Sequence, residues 1–320
     1  MLSTDRPSGT TMLSLALAAA LLAGGLAACS DDEAPAPTQA DAQADKAPAT
    51  RDGPAVTAVQ PRQPPQVPIT QATADSRLQK VLVGPQRTAA ERARDQFRHP
   101  METLQFFGID RGKNIIEIDP GTGWYSAILS PMVKSMGSYY AAVVDDTLPG
   151  VPAYVAKDNA ALKQRFASDR SSYDATRPLL RKYNPDQPVF GKPGSADMVL
   201  SFRNAHNWIA EGDAPAYFKG FFDVLESGGT LGIVDHRANP GPATDGVLGY
   251  VTEQQIIELA TAAGFRMVGR SEINANPKDT KDYPDGVWTL PPSYALGDKD
   301  RAKYAAIGES DRMTLKFVKP

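Results

Sequence analysis

The sequence predicts an α/β protein whose mostly parallel sheet is covered by helices on both faces, and three observations predict it. Ile115, Ile116 and Ile118 read as a strand, and Pro120-Gly121-Thr122-Gly123 ends it in a tight turn. The apolar run from Ser126 to Val133 then resumes with helical spacing. Downstream, short apolar strands alternate with helical stretches, the pattern of parallel strands joined by helical crossovers. The last two strands have no helical crossover pattern between them and read as an antiparallel pair.

Taken in order, the folded domain is expected from about Ser76 to Pro320. A first helical region covers Thr88 to Phe107, with Phe97, Leu104 and Phe107 as apolar contacts and Pro100 as a break or kink. After the glycine turn and its helix, Ser138 to Val144 is a second strand and Ala153 to Phe166 a helix. The proline-punctuated stretch Tyr183 to Gly194 holds a short third strand, and Ala196 to Phe202 is the fourth. A helix over Pro215 to Leu225 leads to a fifth strand, Thr230 to Asp235. Thr252 to Ala263 is a helix carrying Ile256, Ile257 and Leu259, and Phe265 to Ile273 and Met313 to Val318 complete a seven-stranded sheet. The connection from Asn274 to Arg312 is long for a compact domain and carries Tyr283, Trp288 and Tyr294. It reads as a substrate lid with a short helix near Asp300 to Ala306, or as an ordered packing insert.

The N-terminal part has a different character. An apolar, alanine-rich run from Leu13 ends in Leu26-Ala27-Ala28-Cys29, too short for a membrane span and built like a signal peptide. Cys29 is the only cysteine in the 320 residues, so disulfides, cysteine-ligated metals and cysteine nucleophiles are excluded from the mature domain. From Ser30 to about Ala74 the composition is Ala, Pro, Gln, Asp and Thr, which buries too little to offset its ordering entropy and reads as a tether. The formal charge is −3, and no basic block interleaved with aromatics is present, so no nucleic-acid partner is expected.

The glycine turn sets the chemistry. Gly121 and Gly123 let the backbone approach a ligand, while Glu117 and Asp119 place carboxylates at the strand's end. Those charges would repel a phosphate and suit a ribose hydroxyl or an amino group. Asp145 and Asp146, 24 and 25 positions after Gly121, suit a ribose as well. His206 and His236 follow the fourth and fifth strands, where the carboxyl ends of a doubly wound sheet line the ligand crevice. Imidazole titrates near neutral pH, so His206 suits a general base; it also suits a structural bond to loop carbonyls. Asp235 can orient an imidazole or accept a proton, or it can form a capping cluster with His236 and Arg237. Trp124 and Trp208 suit stacking on a flat ring or core packing. His99, His206, His236 and Asp235 together would suit iron, zinc or manganese, but no two share the close spacing of a helical metal motif, and no metal is expected.

The turn resembles the first motif of class I S-adenosylmethionine-dependent methyltransferases, acid-x-Gly-x-Gly-x-Gly, with Glu117 as the acid, Gly121 and Gly123 as the second and third glycines, and Asp119 in place of the first. Glu226-Ser227-Gly228-Gly229-Thr230-Leu231 resembles the glycine turn leading into the fifth strand of that family. Arg98-His99-Pro100, Pro120 to Tyr125, Arg203 to Trp208 and Asp235 to Ala238 together resemble a bacterial family of predicted, exported methyltransferases. Leu26 to Cys29 resembles a lipobox. The resemblance implies a Rossmann-like class I methyltransferase fold and S-adenosyl-L-methionine as cofactor, held by Glu117, Asp119, Gly121, Gly123, Trp124, Asp145 and Asn204. A small-molecule acceptor follows, with His206, Asp235 and His236 as candidate catalytic groups. It also implies a signal peptide over 1–28 and lipidation at Cys29, anchoring the chain in the bacterial envelope on the periplasmic side; Ser30 after the cysteine favours the outer membrane. The cofactor is made in the cytoplasm, which gives weight to the alternative of a non-catalytic periplasmic lipoprotein that binds a nucleoside-like or other small metabolite. A dehydrogenase stands third, because the position that would complete Gly-x-Gly-x-x-Gly is Ser126.

Overall fold

The computed structural model describes residues 71–174 and 179–320; the expected signal peptide, Cys29 and most of the expected tether lie outside them. Helix α1 (Gln71–Leu82) begins ahead of the boundary expected at Ser76. Its Ala74 and Leu78 are 1% and 0% exposed, so the start of the fold lies upstream. The helical region expected over Thr88 to Phe107 divides into α2 (Ala89–Arg92), α3 (Asp95–Arg98) and α4 (Pro100–Phe107). Thr88 and Glu91 form a reciprocal cap on α2, and His99, in a left-handed conformation, makes the corner before Pro100.

Seven strands form one sheet: β1 (Asn114–Ile118), β2 (Ser138–Val144), β3 (Leu180–Tyr183), β4 (Ala196–Phe202), β5 (Leu225–His236), β6 (Arg266–Ser271) and β7 (Arg312–Val318). Their order is β3-β2-β1-β4-β5-β7-β6. β3 through β5 are parallel, and β7 runs antiparallel to both β5 and β6. The third strand precedes the segment expected for it, Tyr183 to Gly194, and overlaps it only at Tyr183.

Successive strand residues point to opposite faces, and the two cores follow from that alternation. Ile116, Ile118, Val199, Leu231 and Ile233 pack on one face with Phe218 and Phe221 of α8 (Ala214–Val224). Ile115, Met198 and Leu200 pack on the other with Leu104, Phe107 and helix α5 (Ser126–Val133). Every residue of α5 is buried, which explains why its sequence is apolar on all sides. Helices α6 (Ala153–Ser168) and α9 (Glu253–Ala262) match expectation, while the short α7 (Ala205–Glu211) was not anticipated. In the long β6–β7 connection, Tyr283, Leu290 and Tyr304 of α10 (Arg301–Ile307) form a small core of their own, so this segment is an ordered insert. Among the described residues no helix is long and apolar enough to cross a membrane.

Candidate active site

β1 and β4 are adjacent although their neighbours in sequence lie on opposite sides, so the crevice at their carboxyl ends is the topological switch point. A cleft of about 180 Å³ opens there. Its floor is Asp119 and Gly121 from the β1 turn, and Tyr154, Asp158 and Asn159 of α6 form one wall. Asn204, Trp208 and Glu211 form the other. Asp119, Asp158 and Glu211 give the lining three carboxylates, and no Lys, Arg or His joins them.

The two glycines of the turn do different work. Gly121 has φ 56°, and a Cβ there would meet nothing nearer than Asp158 Oδ2 at 4.0 Å, so its bare backbone faces the cleft. Gly123 has φ 87°, and a Cβ would lie 2.6 Å from Leu162 Cδ1. It therefore lets α6 pack against the turn and does not line the cleft.

Asp119, standing where the resembled motif has a glycine, adopts φ 46°. Tyr183 donates its hydroxyl to both carboxylate oxygens, at 2.8 and 2.7 Å. Burial pushes this carboxyl up to about 7, against the pull of the Tyr183 and Trp208 hydrogen bonds and with the help of the Glu211 charge. Glu117 lies deeper, 2% exposed, and accepts from Ser126 Oγ at 2.8 Å and Tyr139 Oη at 2.6 Å. Burial raises it to about 7 too. Glu117 thus stands beneath the turn, away from the cleft lining.

The remaining expected cofactor contacts divide. Asn204 lines the cleft, and its Nδ2 donates to Ile118 O at 2.9 Å and Ser201 Oγ at 3.1 Å, tying the ends of β1 and β4 together. Trp208 stacks on Tyr217 with ring centroids 4.5 Å apart and also lines the cleft. Trp124 does not; it is 7% exposed, donates to Glu91 O, and lies under the guanidinium groups of Arg87 and Arg98. Asp145 and Asp146 both pair with Lys182, outside the lining.

Beside the cleft, His206 and Asp235 come together. His206 Nδ1 and Asp235 Oδ1 are 2.9 Å apart, the His206 backbone N–H donates to Oδ2 at 3.2 Å, and the His236 N–H donates to Oδ1 at 2.7 Å. Asp235 is 0% exposed, so both its oxygens are committed to these donors. The His236 ring lies 5.3 Å from that of His206, and its Nδ1 is 2.5 Å from Ser310 Oγ. Burial and the charges of His206, Arg203, Arg312 and Arg98 hold His236 well below the usual imidazole range. Ligand atoms of His206, Asp235 and His236 lie within 4.8 Å of one another, and His99 is not part of the group. Three arginines around it and an already satisfied Asp235 make it a poor cation site.

The sequence did not single out Tyr154, Asp158, Asn159, Glu211 or Tyr217. Positions 154, 155, 158 and 159 lie along one face of α6, a spacing readable in the sequence once that helix is placed after β2.

The chain is similar to a S-adenosylmethionine-dependent methyltransferase from Aquifex aeolicus, at 15% identity and TM-score 0.47 over 77% of this chain and 98% of that one. It is similar to the [4+2]-cyclase SpnF at 15% identity and TM-score 0.49, over 74% and 86% of the two chains. A S-adenosylmethionine-dependent methyltransferase from Mesorhizobium loti matches at 13% identity and TM-score 0.40, over 68% and 96%. No protein-family model and no curated protein matches the sequence. The strand order, with β7 inserted antiparallel between β5 and β6, defines the Rossmann-like class I methyltransferase fold.

Proposed function

We propose that this chain is a methyltransferase that uses S-adenosylmethionine and acts on a small molecule, anchored in the bacterial envelope through Cys29. The observation that carries the reading is the cation-free, acidic cleft at the switch point, floored in part by a bare glycine and neighboured by a His–Asp pair. A sulfonium and an amino group are both cations, and three carboxylates suit them; a pyrophosphate would be repelled, which disfavours a dinucleotide. Asp119, Asp158 and Asn204 would hold the cofactor, with Gly121 giving it room and Trp208 and Tyr154 offering flat surfaces. When bound, S-adenosylmethionine supplies an electrophilic methyl group.

The chain's own groups supply alignment and proton removal. Asp235 accepting from His206 Nδ1–H fixes the tautomer whose Nε2 carries a lone pair, and that nitrogen takes the proton from a hydroxyl or ammonium acceptor. Asp235, held by two backbone N–H groups, stabilises the imidazolium that forms. His236, held below the usual imidazole range, adds no competing charge at neutral pH.

A calorimetric titration of the detergent-solubilised full chain with S-adenosylhomocysteine tests the reading, with NADH as control. Binding of the first and not the second is expected. Silence with S-adenosylhomocysteine would move the assignment to a binding lipoprotein for another metabolite.

A further inference from the structure

Four arginines meet at the carboxyl ends of β4 and β5, beside His206 and Asp235. Arg94 precedes α3 and Arg98 is its last residue, Arg203 follows β4, and Arg312 opens β7. Glu309 joins three of them, accepting from Arg94 Nε at 2.6 Å and Arg98 Nε at 3.2 Å and pairing with Arg312, whose Nη1 lies 3.2 Å from its carboxylate. Those cations hold its carboxyl down at about 2 despite burial. Against four guanidinium groups stand Glu309 and Asp235, and Asp235 is already committed to His206 and His236. The cluster therefore keeps an excess of positive charge, with Arg98 and Arg312 buried and Arg94 and Arg203 half-buried.

Its donors are also left over. Arg98 is 2% exposed, and its Nη2 and that of Arg94 are buried without a hydrogen-bond acceptor. The Arg203 guanidinium pairs with no carboxylate and donates to no acceptor among the described residues. Burial pushes it down to about 10, with Arg312 and Arg94 adding to the effect and Glu309 opposing it. Its backbone is held at φ 68°, with the N–H donating to Val234 O at 2.7 Å. A residue of this size in the left-handed region is strained, and strain of this kind is found at ligand sites. Two buried donors without acceptors, next to a guanidinium that no carboxylate pairs, are complementary to an oxyanion and hostile to a metal ion.

We propose that Arg203, with Arg98 and Arg94, forms a binding site for an oxyanion, a carboxylate or phosphate carried by the methyl acceptor. The role of the occupant rests on the methyl-transfer reading; the anion binding does not. The cluster stands over β4 and β5 and the acidic cleft over β1 and β4, so the two ligands meet neighbouring surfaces of opposite charge. An anionic acceptor is thereby kept out of the cofactor's cleft and delivered next to His206.

The test is calorimetry on the detergent-solubilised full chain at constant ionic strength, with sodium benzoate, inorganic phosphate and the neutral benzamide as probes. Benzoate or phosphate is expected to bind and benzamide to be silent. Arg203→Gln is expected to weaken the bound anion at least tenfold, with S-adenosylhomocysteine affinity and melting temperature unchanged. Arg203→Lys, which keeps charge but not the planar fork, is expected to fall between and serves if the glutamine variant misfolds. Silence of wild type with both anions, or equal binding by the variants, overturns the proposal. So does displacement of benzoate by S-adenosylhomocysteine with parallel loss of both in Arg203→Gln, since the cluster would then hold the cofactor's own carboxylate. Benzoate binding that depends on Arg203 in a chain that ignores S-adenosylhomocysteine would keep the oxyanion site and discard the methyl-transfer reading.

Discussion

Tyr183, the last residue of β3, donates its hydroxyl to both oxygens of Asp119 in the β1 turn, at 2.8 and 2.7 Å. The pair closes the floor of the cleft where the resembled motif has a glycine. Because burial raises Asp119 and Glu117 to about 7, the folded state binds more protons than the unfolded chain from about pH 4 to about pH 7. Stability contributed by these groups therefore falls as pH rises through that window. Asp119→Asn should flatten the fall and raise stability at pH 8 by about 1 to 3 kcal/mol, measured by urea denaturation across pH. A steeper pH dependence in the variant would contradict the assignment.

The same titration should appear in ligand preference. Above pH 7 an ionised Asp119 favours the cationic sulfonium, so affinity for S-adenosylmethionine relative to S-adenosylhomocysteine should rise between pH 6 and 8 by roughly 3- to 10-fold. In Asp119→Asn the ratio should stay constant with pH.

Gly123→Ala and Gly121→Ala should separate folding from binding. Alanine at 123 combines a left-handed backbone with a contact 2.6 Å from Leu162, and should cost about 2 to 4 kcal/mol of stability. Alanine at 121 has space and should cost only about 1 kcal/mol, while weakening S-adenosylhomocysteine because the methyl group enters the cleft. Equal thermal shifts for the two variants would undo this distinction.

Asp145 was expected at the ribose from its distance to Gly121, but its partner is Lys182 at 3.2 Å and it does not line the cleft. Asp145→Ala should therefore leave S-adenosylhomocysteine affinity unchanged, whereas Asp158→Ala should cost about 1 to 3 kcal/mol as the loss of a charge-assisted hydrogen bond. Calorimetry on the two variants checks this, and the reverse ranking would restore Asp145 to the ribose.

What was legible in the sequence was what neighbouring residues decide together. Ile115 to Ile118 alternate between two cores, Gly121 and Gly123 take positive φ, and α5 is apolar because it is buried all round. β3 was expected too far downstream, within Tyr183 to Gly194, because it is an edge strand of four residues, Leu-Arg-Lys-Tyr, with little apolar pattern to show. The His206–Asp235 contact was anticipated only as two strand ends lying near each other, since it joins residues 29 apart and His206 sits on a helix of about two turns that the sequence hides. The arginine cluster was not legible at all. Arg94 and Glu309 are 215 positions apart, and no local period links them.

His206 and Asp235 carry the last prediction. If His206 is the general base, His206→Asn should leave cofactor affinity nearly intact and lower turnover by about 10²- to 10⁴-fold. Asp235→Asn should reduce turnover by a comparable factor, and it should also cost about 1 to 3 kcal/mol of stability, because a buried carboxylate that accepts from two backbone N–H groups becomes a half-mismatched amide. A pH–rate profile separates the base from a structural histidine: wild type should lose its acidic limb in His206→Asn while retaining its melting temperature. The acceptor is to be sought first among small carboxylates and phosphates carrying a hydroxyl or amine, with labelled methyl transfer as the readout. Undiminished turnover in a folded His206→Asn would leave alignment alone to carry the rate, and the pair would then serve to hold α7 against the end of β5.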